Sequence, residues 1–378
     1  MTESPVAADA ATLPSRSYRA AVANVVLASI VSALHVGKAT IALPSLQHEF
    51  GGSLASLSGI MSVFPFVGVF GGIAAGLLVR RWGDRRMLIA GLVILGLSSV
   101  AGASAGSLNR VTPPERRNRA FGLWSTFMPA GMALSMLVGP LLGGWRNGWL
   151  AASALTLAAA AAVPVTTSAG APARQAAAPR IGPALRDVLA SRSTTLLALG
   201  FATYNVQFFA AMTFLPVFLM QRLGVAVGAA GLISAAIVAA CVIGNLTAGW
   251  LLSRGARPGI VMAATSVAIG AAGAGLFSAA MPAPLAVALG FAFSAIAGML
   301  PATILACAPG SAPTPSLAPL SIGWVVQGNY LGQVIGPLAI GSIVGAFGWS
   351  GGIGLMLAAA VIGAAIGLSL LREPMGRR

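Results

Sequence analysis

The sequence predicts an all-α membrane protein, a bundle of about 11 transmembrane helices in two pseudo-symmetric halves. Three observations support this class. Hydrophobic residues make up 57% of the 378 residues and charged residues only 8%, a balance outside that of soluble domains. Apolar stretches of about 20 residues recur along the chain, and each is long enough to cross roughly 30 Å of hydrocarbon as a helix. Basic residues gather in short clusters between these stretches, where membrane orientation is decided.

The apolar stretches predict eleven spans. Because backbone groups in lipid must be hydrogen-bonded internally, each span is expected to be helical. The predicted spans cover residues 20–43, 55–79, 87–108, 120–144, 148–167, 194–219, 228–252, 259–281, 285–307, 317–343 and 350–371.

The longest polar connection, residues 168–193, divides the spans into two groups. It is rich in proline, alanine and arginine, and Ile181, Leu185, Val188 and Leu189 share one face of a short helix that is predicted to lie on the membrane surface. A cytoplasmic tail (1–17) is expected to precede a five-span bundle (18–167). The cytoplasmic linker (168–193) then leads to a six-span bundle (194–371) and a second cytoplasmic tail (372–378).

Five positive segments orient the predicted bundle. By the positive-inside rule all five are expected to be cytoplasmic. Consecutive cytoplasmic loops must be separated by an even number of crossings, yet one predicted span separates 80–86 from 110–119, so a crossing is missing or miscounted there. The five segments are 80–86, 110–119, the linker, 253–259 and the C-terminal tail.

Internal repeats indicate that the halves are related, and they point to the same interval. Pro44 matches Pro216 and Gly72 matches Gly244 at one common offset, whereas segment 135–140 matches 332–337 at a larger offset. The first half is therefore predicted to be shorter than the second by about 25 residues, which corresponds to one helix and a turn.

Two segments carry motifs: GLLVRRWGDRR follows the second predicted span, and SMLVGPLLGG lies in the fourth. The first resembles the loop motif Gly-x-x-x-Asp-Arg-x-Gly-Arg-Arg of the major facilitator superfamily, and the second resembles the Gly-Pro-x-x-Gly-Gly signature of its antiporting members. The resemblance implies twelve helices, of which the first, fourth, seventh and tenth line a central path that opens alternately to each side. The helix that this chain lacks would be the fourth.

The resemblance also implies roles for particular residues. Arg80 stands where the family usually has an aspartate, and an acid appears at Asp84 instead, so the usual charge relay of the loop is altered. A cytoplasmic gating motif is implied for Gly76, Arg81, Gly83, Asp84 and Arg85, and a kinked, closely packed span for Gly139, Pro140, Gly143 and Gly144.

Ionisable residues inside a span cost about 2.5–3.5 kcal/mol each, so they are candidates for function. His35 and Lys38 share a face of the first span and predict an anion site, in which Lys38 holds the anion and His35 exchanges a proton. In the alternative interpretation Lys38 snorkels to the membrane surface and His35 hydrogen-bonds a neighbour. All seven acidic residues fall outside the spans, which favours an anionic or neutral solute over an organic cation.

Polar side chains in the second half are further substrate-binding candidates. They predict hydrogen bonds to a solute, but polar groups also join neighbouring helices in membranes, and both interpretations remain open. The candidates are Tyr204, Asn205 and Gln207 in the predicted span 194–219, and Gln327, Asn329 and Tyr330 in the predicted span 317–343, where Gln333 follows.

These features predict a monomeric, multi-pass transporter of the cytoplasmic membrane that moves a small organic anion or a neutral solute. If this transport is coupled to protons, it is expected to take the form of antiport or efflux. The alternative is a non-transporting remnant that has been inactivated by the loss of one helix. No nucleophile–base pair, metal cluster or carboxylate pair appears in the sequence, so no enzyme activity, cofactor or metal is expected. The partners are expected to be the solute, protons and the lipid bilayer, without nucleic acid.

Overall fold

The computed structural model describes residues 126–142, 145–166 and 181–373, together with single residues between 26 and 40 and between 59 and 70. Every regular element in these residues is a helix, and they contain no strand. The all-α class that the sequence predicts is therefore confirmed.

Two described helices belong to the first half and one to the linker. They are α1 (Phe127–Val138), α2 (Trp145–Thr166) and α3 (Ile181–Ala190). The second half contains α4 (Arg192–Met212), α5 (Leu215–Leu223), α6 (Val227–Ser253), α7 (Pro258–Phe277), α8 (Ala283–Ala297), α9 (Met299–Cys307), α10 (Ala318–Phe347) and α11 (Gly352–Leu370).

Six helical stretches in the described part of the chain are long and apolar enough to cross a membrane. Each overlaps one of the six spans that the sequence predicts for residues 194–371. The predicted third span, 87–108, lies outside the described residues. The six stretches are Arg192–Met212, Val227–Ser253, Pro258–Phe277, Ala283–Cys307, Pro315–Phe347 and Trp349–Leu370.

The ends of the six spans gather at two sides of the bundle, because successive spans alternate in direction. At one side Arg192 Nη1 lies 3.1 Å from Glu373 Oε1, and Thr194 Oγ1 donates to the Ser311 carbonyl at 2.8 Å. These contacts join the start of α4 to the chain after α11 and to the loop after α9. By the positive-inside rule this side is expected to be cytoplasmic, because Arg254 and Arg257 lie between α6 and α7, and that orientation remains a prediction.

At the opposite side one arginine binds the loop between α7 and α8. Arg222 Nη2, in the last turn of α5, donates to the carbonyls of Ser278, Ala279 and Met281 at 3.1, 3.2 and 2.5 Å. A guanidinium in this position satisfies three carbonyls that have no helical partner. The contact therefore ties the end of α5 to the neighbouring loop.

Replacing Arg222 by methionine is expected to lower the free energy of unfolding by about 1.5–3 kcal/mol, because hydrogen bonds from a charged donor are lost. Thermal unfolding in detergent measures the effect. The control is Arg192→Met, which removes an ion pair whose arginine is 63% exposed and is expected to cost at most about 1 kcal/mol. Equal shifts for the two variants would contradict this role of Arg222.

The linker helix α3 packs against the start of α10. Ala184 and Val188 are buried against Leu317 and Leu320, while Leu189 is exposed. Of the predicted apolar face, Val188 is buried against α10 and Leu189 is exposed. Its location on the membrane surface remains a prediction.

Equivalent helix contacts occur in both halves, but at different separations along the chain. In the first half Gly131 packs against the carbonyl of Ile30, and Ser135 Oγ donates to the Leu34 carbonyl, 101 residues away. In the second half Gly332 packs against the Ala202 carbonyl and Gly336 against the Val206 carbonyl. The partners in the second half are farther apart in sequence than those in the first.

Fewer residues thus separate the two partners of each contact in the first half than in the second. The difference is slightly more than the length of a membrane-spanning helix with its connecting loop. The sequence matches predict a deficit that is smaller by about one helical turn. The absence of the fourth helix itself remains a prediction, since residues 71–125 lie outside the described part of the chain.

Candidate solute-binding site

Helices α4 and α10 touch backbone to backbone. Gly328, Gly332 and Gly336 repeat every fourth residue on one face of α10, so they share a surface. A Cβ added at Gly328 or Gly332 would collide with the carbonyl oxygen of Ala198 or Ala202, and one at Gly336 would lie 2.9 Å from that of Val206. Small residues at this spacing are what allows membrane helices to approach so closely.

Two of the candidate polar residues bond to each other within this contact. Asn205 Nδ2 donates to Asn329 Oδ1 at 3.0 Å and to the Phe201 carbonyl at 3.0 Å. Gln207 Nε2 donates to the Met356 carbonyl of α11 at 3.0 Å. Asn205 and Gln207 are 2% and 1% exposed. In this structure Asn205, Asn329 and Gln207 therefore join α4 to its neighbours.

Tyr204 belongs to a row of aromatic rings. Its ring centroid lies 6.1 Å from that of Phe201 and 5.6 Å from that of Phe208, and Phe208 stacks on Phe293 of α8 at 6.5 Å. Tyr204 is 5% exposed and thus packs in the core of the second half.

Another face of α10 joins the two halves of the protein. Gln327 Nε2 donates to the Val69 carbonyl at 2.7 Å, and Ser62 Oγ donates to the Val334 carbonyl at 3.1 Å. A Cβ added at Gly68 would lie 2.6 Å from Cγ of Tyr330, so the Tyr330 ring covers this glycine. Gln327 and Tyr330 therefore lie at the boundary between the halves.

Two amide atoms on α10 are buried without a hydrogen-bond partner among the described residues. They are Oε1 of Gln327 and Nε2 of Gln333, whose side chain is 1% exposed. Leaving such a group unpaired costs about 1–3 kcal/mol, so unpaired groups in a native protein require an explanation. One atom is an acceptor and the other a donor, and the two residues are about 9 Å apart along the helix axis. Residues six positions apart lie on different faces of a helix, so each of these atoms can offer a hydrogen bond to a polar group on its own side of α10.

Many predicted functional residues lie outside the described residues. Gly139 and Pro140 are described, and they begin the 3₁₀ turn Gly139–Leu142, in which α1 ends. The structure also contains no group of three or more His, Cys, Asp and Glu residues suited to a metal ion within the described ranges. The predicted residues outside the description are His35, Lys38, Gly76, Arg81, Gly83, Asp84, Arg85, Gly143 and Gly144.

The sequence interpretation missed the partners from the first half. Val69 takes part through its backbone carbonyl, and Gly68 leaves room for the Tyr330 ring because it has no side chain. Neither residue type indicates such a contact in the sequence. Ser62 matches Ser234 at the same offset as Pro44 and Pro216, but such a match between repeats does not indicate a contact with α10.

Comparison with known proteins places the chain in a family. The model of the Major Facilitator Superfamily matches residues 98–319 and, in a second alignment, residues 197–378. No curated protein matches this chain.

Two solved structures share its fold. A variant of the E. coli fucose:proton symporter FucP is 18% identical, with a TM-score of 0.68, over 94% of this chain and 98% of that one. A structure of the Major Facilitator Superfamily transporter FucP in the outward conformation is 16% identical, with a TM-score of 0.66, over 94% and 99% of the two chains. Because the family model matches well over half of the sequence, this chain belongs to the major facilitator superfamily, whose members are membrane transporters and not enzymes.

Proposed function

We propose that this protein transports a small neutral solute or organic anion across the cytoplasmic membrane by alternating access. The observation that carries the proposal is the contact of Gln327 with Val69. In alternating access one half rocks against the other around a central site. Gln327 bonds the opposite half, and its buried acceptor has no partner among the described residues. Such a side chain lies where a solute would compete with that bond.

The chemistry of α10 favours a neutral solute with hydroxyl or amide groups. Within the described part of the chain, Oε1 of Gln327 and Nε2 of Gln333 have no hydrogen-bond partner. One is an acceptor and the other a donor, and neither carries a charge. Directional hydrogen bonds of this kind orient a ligand and discriminate against analogues that lack the matching group. The organic-anion form of the proposal depends on Lys38, with His35 as the group that exchanges a proton.

Protons are the proposed coupling ion, and proton-coupled antiport or efflux is the proposed form of transport. His35 is the one histidine predicted to lie inside a span, and an imidazole can change charge near neutral pH. Gly139 and Pro140 begin the segment that resembles the antiporter signature, and α1 gives way to a 3₁₀ turn at Gly139.

The second candidate function is a non-transporting remnant. It is favoured by the helix contacts that make the first half shorter than the second. A shortened half would fold through the preserved contacts of Gly131 and Ser135, yet it would lack one wall of the central path.

Uptake by purified protein in proteoliposomes separates these functions. Radiolabelled polyols, sugars, amides and carboxylates are supplied under an imposed pH gradient. Gln327→Leu is expected to lower uptake of the transported solute at least about tenfold, which corresponds to about 1.4 kcal/mol of lost interaction. The same change at Gln221, which bonds Trp349 at the outer side, is the control and is expected to preserve uptake.

Each result supports or excludes one arm of the proposal. Loss of carboxylate uptake alone in Lys38→Ala would support the anion site, whereas unchanged uptake would remove it. Normal uptake by Gln327→Leu would exclude the proposed role of α10. Failure of the folded wild-type protein to move any solute of the panel would favour the remnant.

A further inference from the structure

We infer that a water molecule is bound inside the second half, where α6 crosses the junction between α8 and α9. The inference rests on a break in a membrane-spanning helix, on a backbone contact at that break, and on two buried polar atoms that face it. It concerns the interruption of this span and is independent of which solute the protein carries.

The span Ala283–Cys307 is two helices joined at a single residue. Helix α8 ends at Ala297, α9 begins at Met299, and the Gly298 N–H donates to the Ser294 carbonyl at a long 3.4 Å. Pro301 has no backbone N–H to offer the carbonyl of Ala297, four residues earlier. The junction is therefore short of hydrogen-bond donors inside the hydrocarbon region.

Helix α6 contacts this junction through glycine. A Cβ added at Gly298 would collide with the Cys241 carbonyl and would lie 2.8 Å from the backbone N and 2.9 Å from Nδ2 of Asn245. A Cβ added at Gly244 would collide with the Ala295 carbonyl. The side-chain amide of Asn245 thus lies directly against the junction.

Two side chains place unpaired polar atoms at this crossing. Asn245 donates through Nδ2 to the Cys241 carbonyl at 2.9 Å, but its Oδ1 has no partner among the described residues. The Ser294 hydroxyl is likewise unpaired, and both side chains are 0% exposed. Ser294 lies one turn from Gly290 and one turn from Gly298, which both pack against α6, so its hydroxyl faces the same helix.

A water molecule matches the groups that meet here. It can donate to Asn245 Oδ1 and to the Ala297 carbonyl while it accepts from the Ser294 hydroxyl, and buried waters typically make about three such bonds. Breaks at glycine and proline are tolerated in membrane helices where ordered water and polar side chains satisfy the freed backbone groups. The bound water therefore supplies hydrogen bonds that the junction between α8 and α9 lacks.

A double-mutant cycle tests this site. Ser294→Ala and Asn245→Leu are each expected to lower the Tm in detergent by roughly 2–4 °C, because each leaves the water and the remaining polar group with fewer partners. The double variant is expected to lose clearly less than the sum, since both residues act through one water. In a dry site Ser294→Ala removes an unpaired buried hydroxyl and is neutral or stabilising, whereas Asn245→Leu still loses the bond from Nδ2 to the Cys241 carbonyl. An unchanged or raised Tm for Ser294→Ala, with effects that add in the double variant, would overturn the inference.

Thr303→Val is the matched control in the same span. Its hydroxyl already donates to the Met299 carbonyl within α9 at 2.7 Å, so its removal leaves no group dependent on water. A shift in the Tm much smaller than those of the two test variants is expected.

Hydroxyl-radical footprinting by X-ray pulses is the second measurement. Radicals formed from a bound water oxidise the adjacent Cys241 thiol, although this side chain is only 1% exposed. Met356 is buried elsewhere in the second half and is expected to remain unmodified, and Asn245→Leu is expected to abolish the labelling of Cys241. Equal protection of Cys241 and Met356 in the wild-type protein would show that the crossing is dry.

Discussion

Replacing Gly332 by leucine will prevent the second half from forming a stable bundle. The added Cβ would collide with the Ala202 carbonyl and would lie 2.6 Å from Cβ of Asn205. Both atoms belong to the rigid part of α4, so the leucine cannot be accommodated by a rotamer change and the two helices must separate. The cost is expected to exceed the roughly 1–3 kcal/mol of ordinary overpacking, and separation would also stretch the bond between Asn205 and Asn329.

Gly345→Leu is the control for this prediction. Gly345 lies on α10 too, but a Cβ there meets nothing within 4 Å, and leucine is the better helix former. Size-exclusion chromatography and thermal unfolding are expected to show a monodisperse protein for Gly345→Leu and an aggregated or unstable one for Gly332→Leu. Comparable behaviour of the two variants would mean that α4 and α10 are not in backbone contact.

A disulfide between positions 68 and 330 is expected to stop transport almost completely. The ideal Cβ of residue 68 lies 2.6 Å from Cγ of Tyr330, which places the two Cβ atoms within the roughly 3.5–4.5 Å that a disulfide requires. Alternating access needs the halves to move relative to each other, and a covalent bond across their boundary prevents that movement. Oxidation of the variant Gly68→Cys, Tyr330→Cys should abolish uptake, and reduction should restore it.

The chain is well suited to this experiment because its two native cysteines, Cys241 and Cys307, can be replaced by alanine beforehand. Each single cysteine variant serves as a control, and oxidation should leave its uptake unchanged. Transport that persists after the disulfide has formed would show that the boundary at Tyr330 does not open during the cycle.

The sequence predicts the six spans of the second half because apolar length is a direct requirement of the bilayer. It does not predict where those spans break. The predicted span 194–219 is in fact α4, which ends at Met212, followed by α5, which begins at Leu215, and the span at 285–307 is interrupted at Gly298. Both breaks lie near a proline. Hydropathy does not depend on backbone hydrogen bonds, so the run of apolar residues continues across each break.

The polar candidates could be found from the sequence, but their partners could not. Asn205 and Gln327 stand out because amides are rare in apolar runs. However, Asn205 bonds Asn329, 124 residues away, and Gln327 bonds a backbone carbonyl 258 residues away. Such pairings depend on how the helices cross, which no local pattern encodes. Whether these groups bind a solute stays a prediction.

The deficit of the first half shows a related limit of sequence matching. Matching SMLVGP to GQVIGP gives a smaller deficit than the contacts of Gly131 and Gly332 give, and the difference is about one helical turn. A shift by one turn keeps the same face of a helix in register, and glycine-rich helices offer several matches at that spacing. The packing contact distinguishes these registers, because only one of them places a glycine opposite the carbonyl of Ile30.

The direct contact of α4 with α10 has a mechanical consequence. Separating these helices would leave the Asn205 and Asn329 amides without their partner inside hydrocarbon, where replacements are scarce. Helices α4 and α10 should therefore move together as one rigid unit during any rearrangement of the protein. Deformation would then concentrate in elements whose backbone is already interrupted, and the joint at Gly298 is such a place.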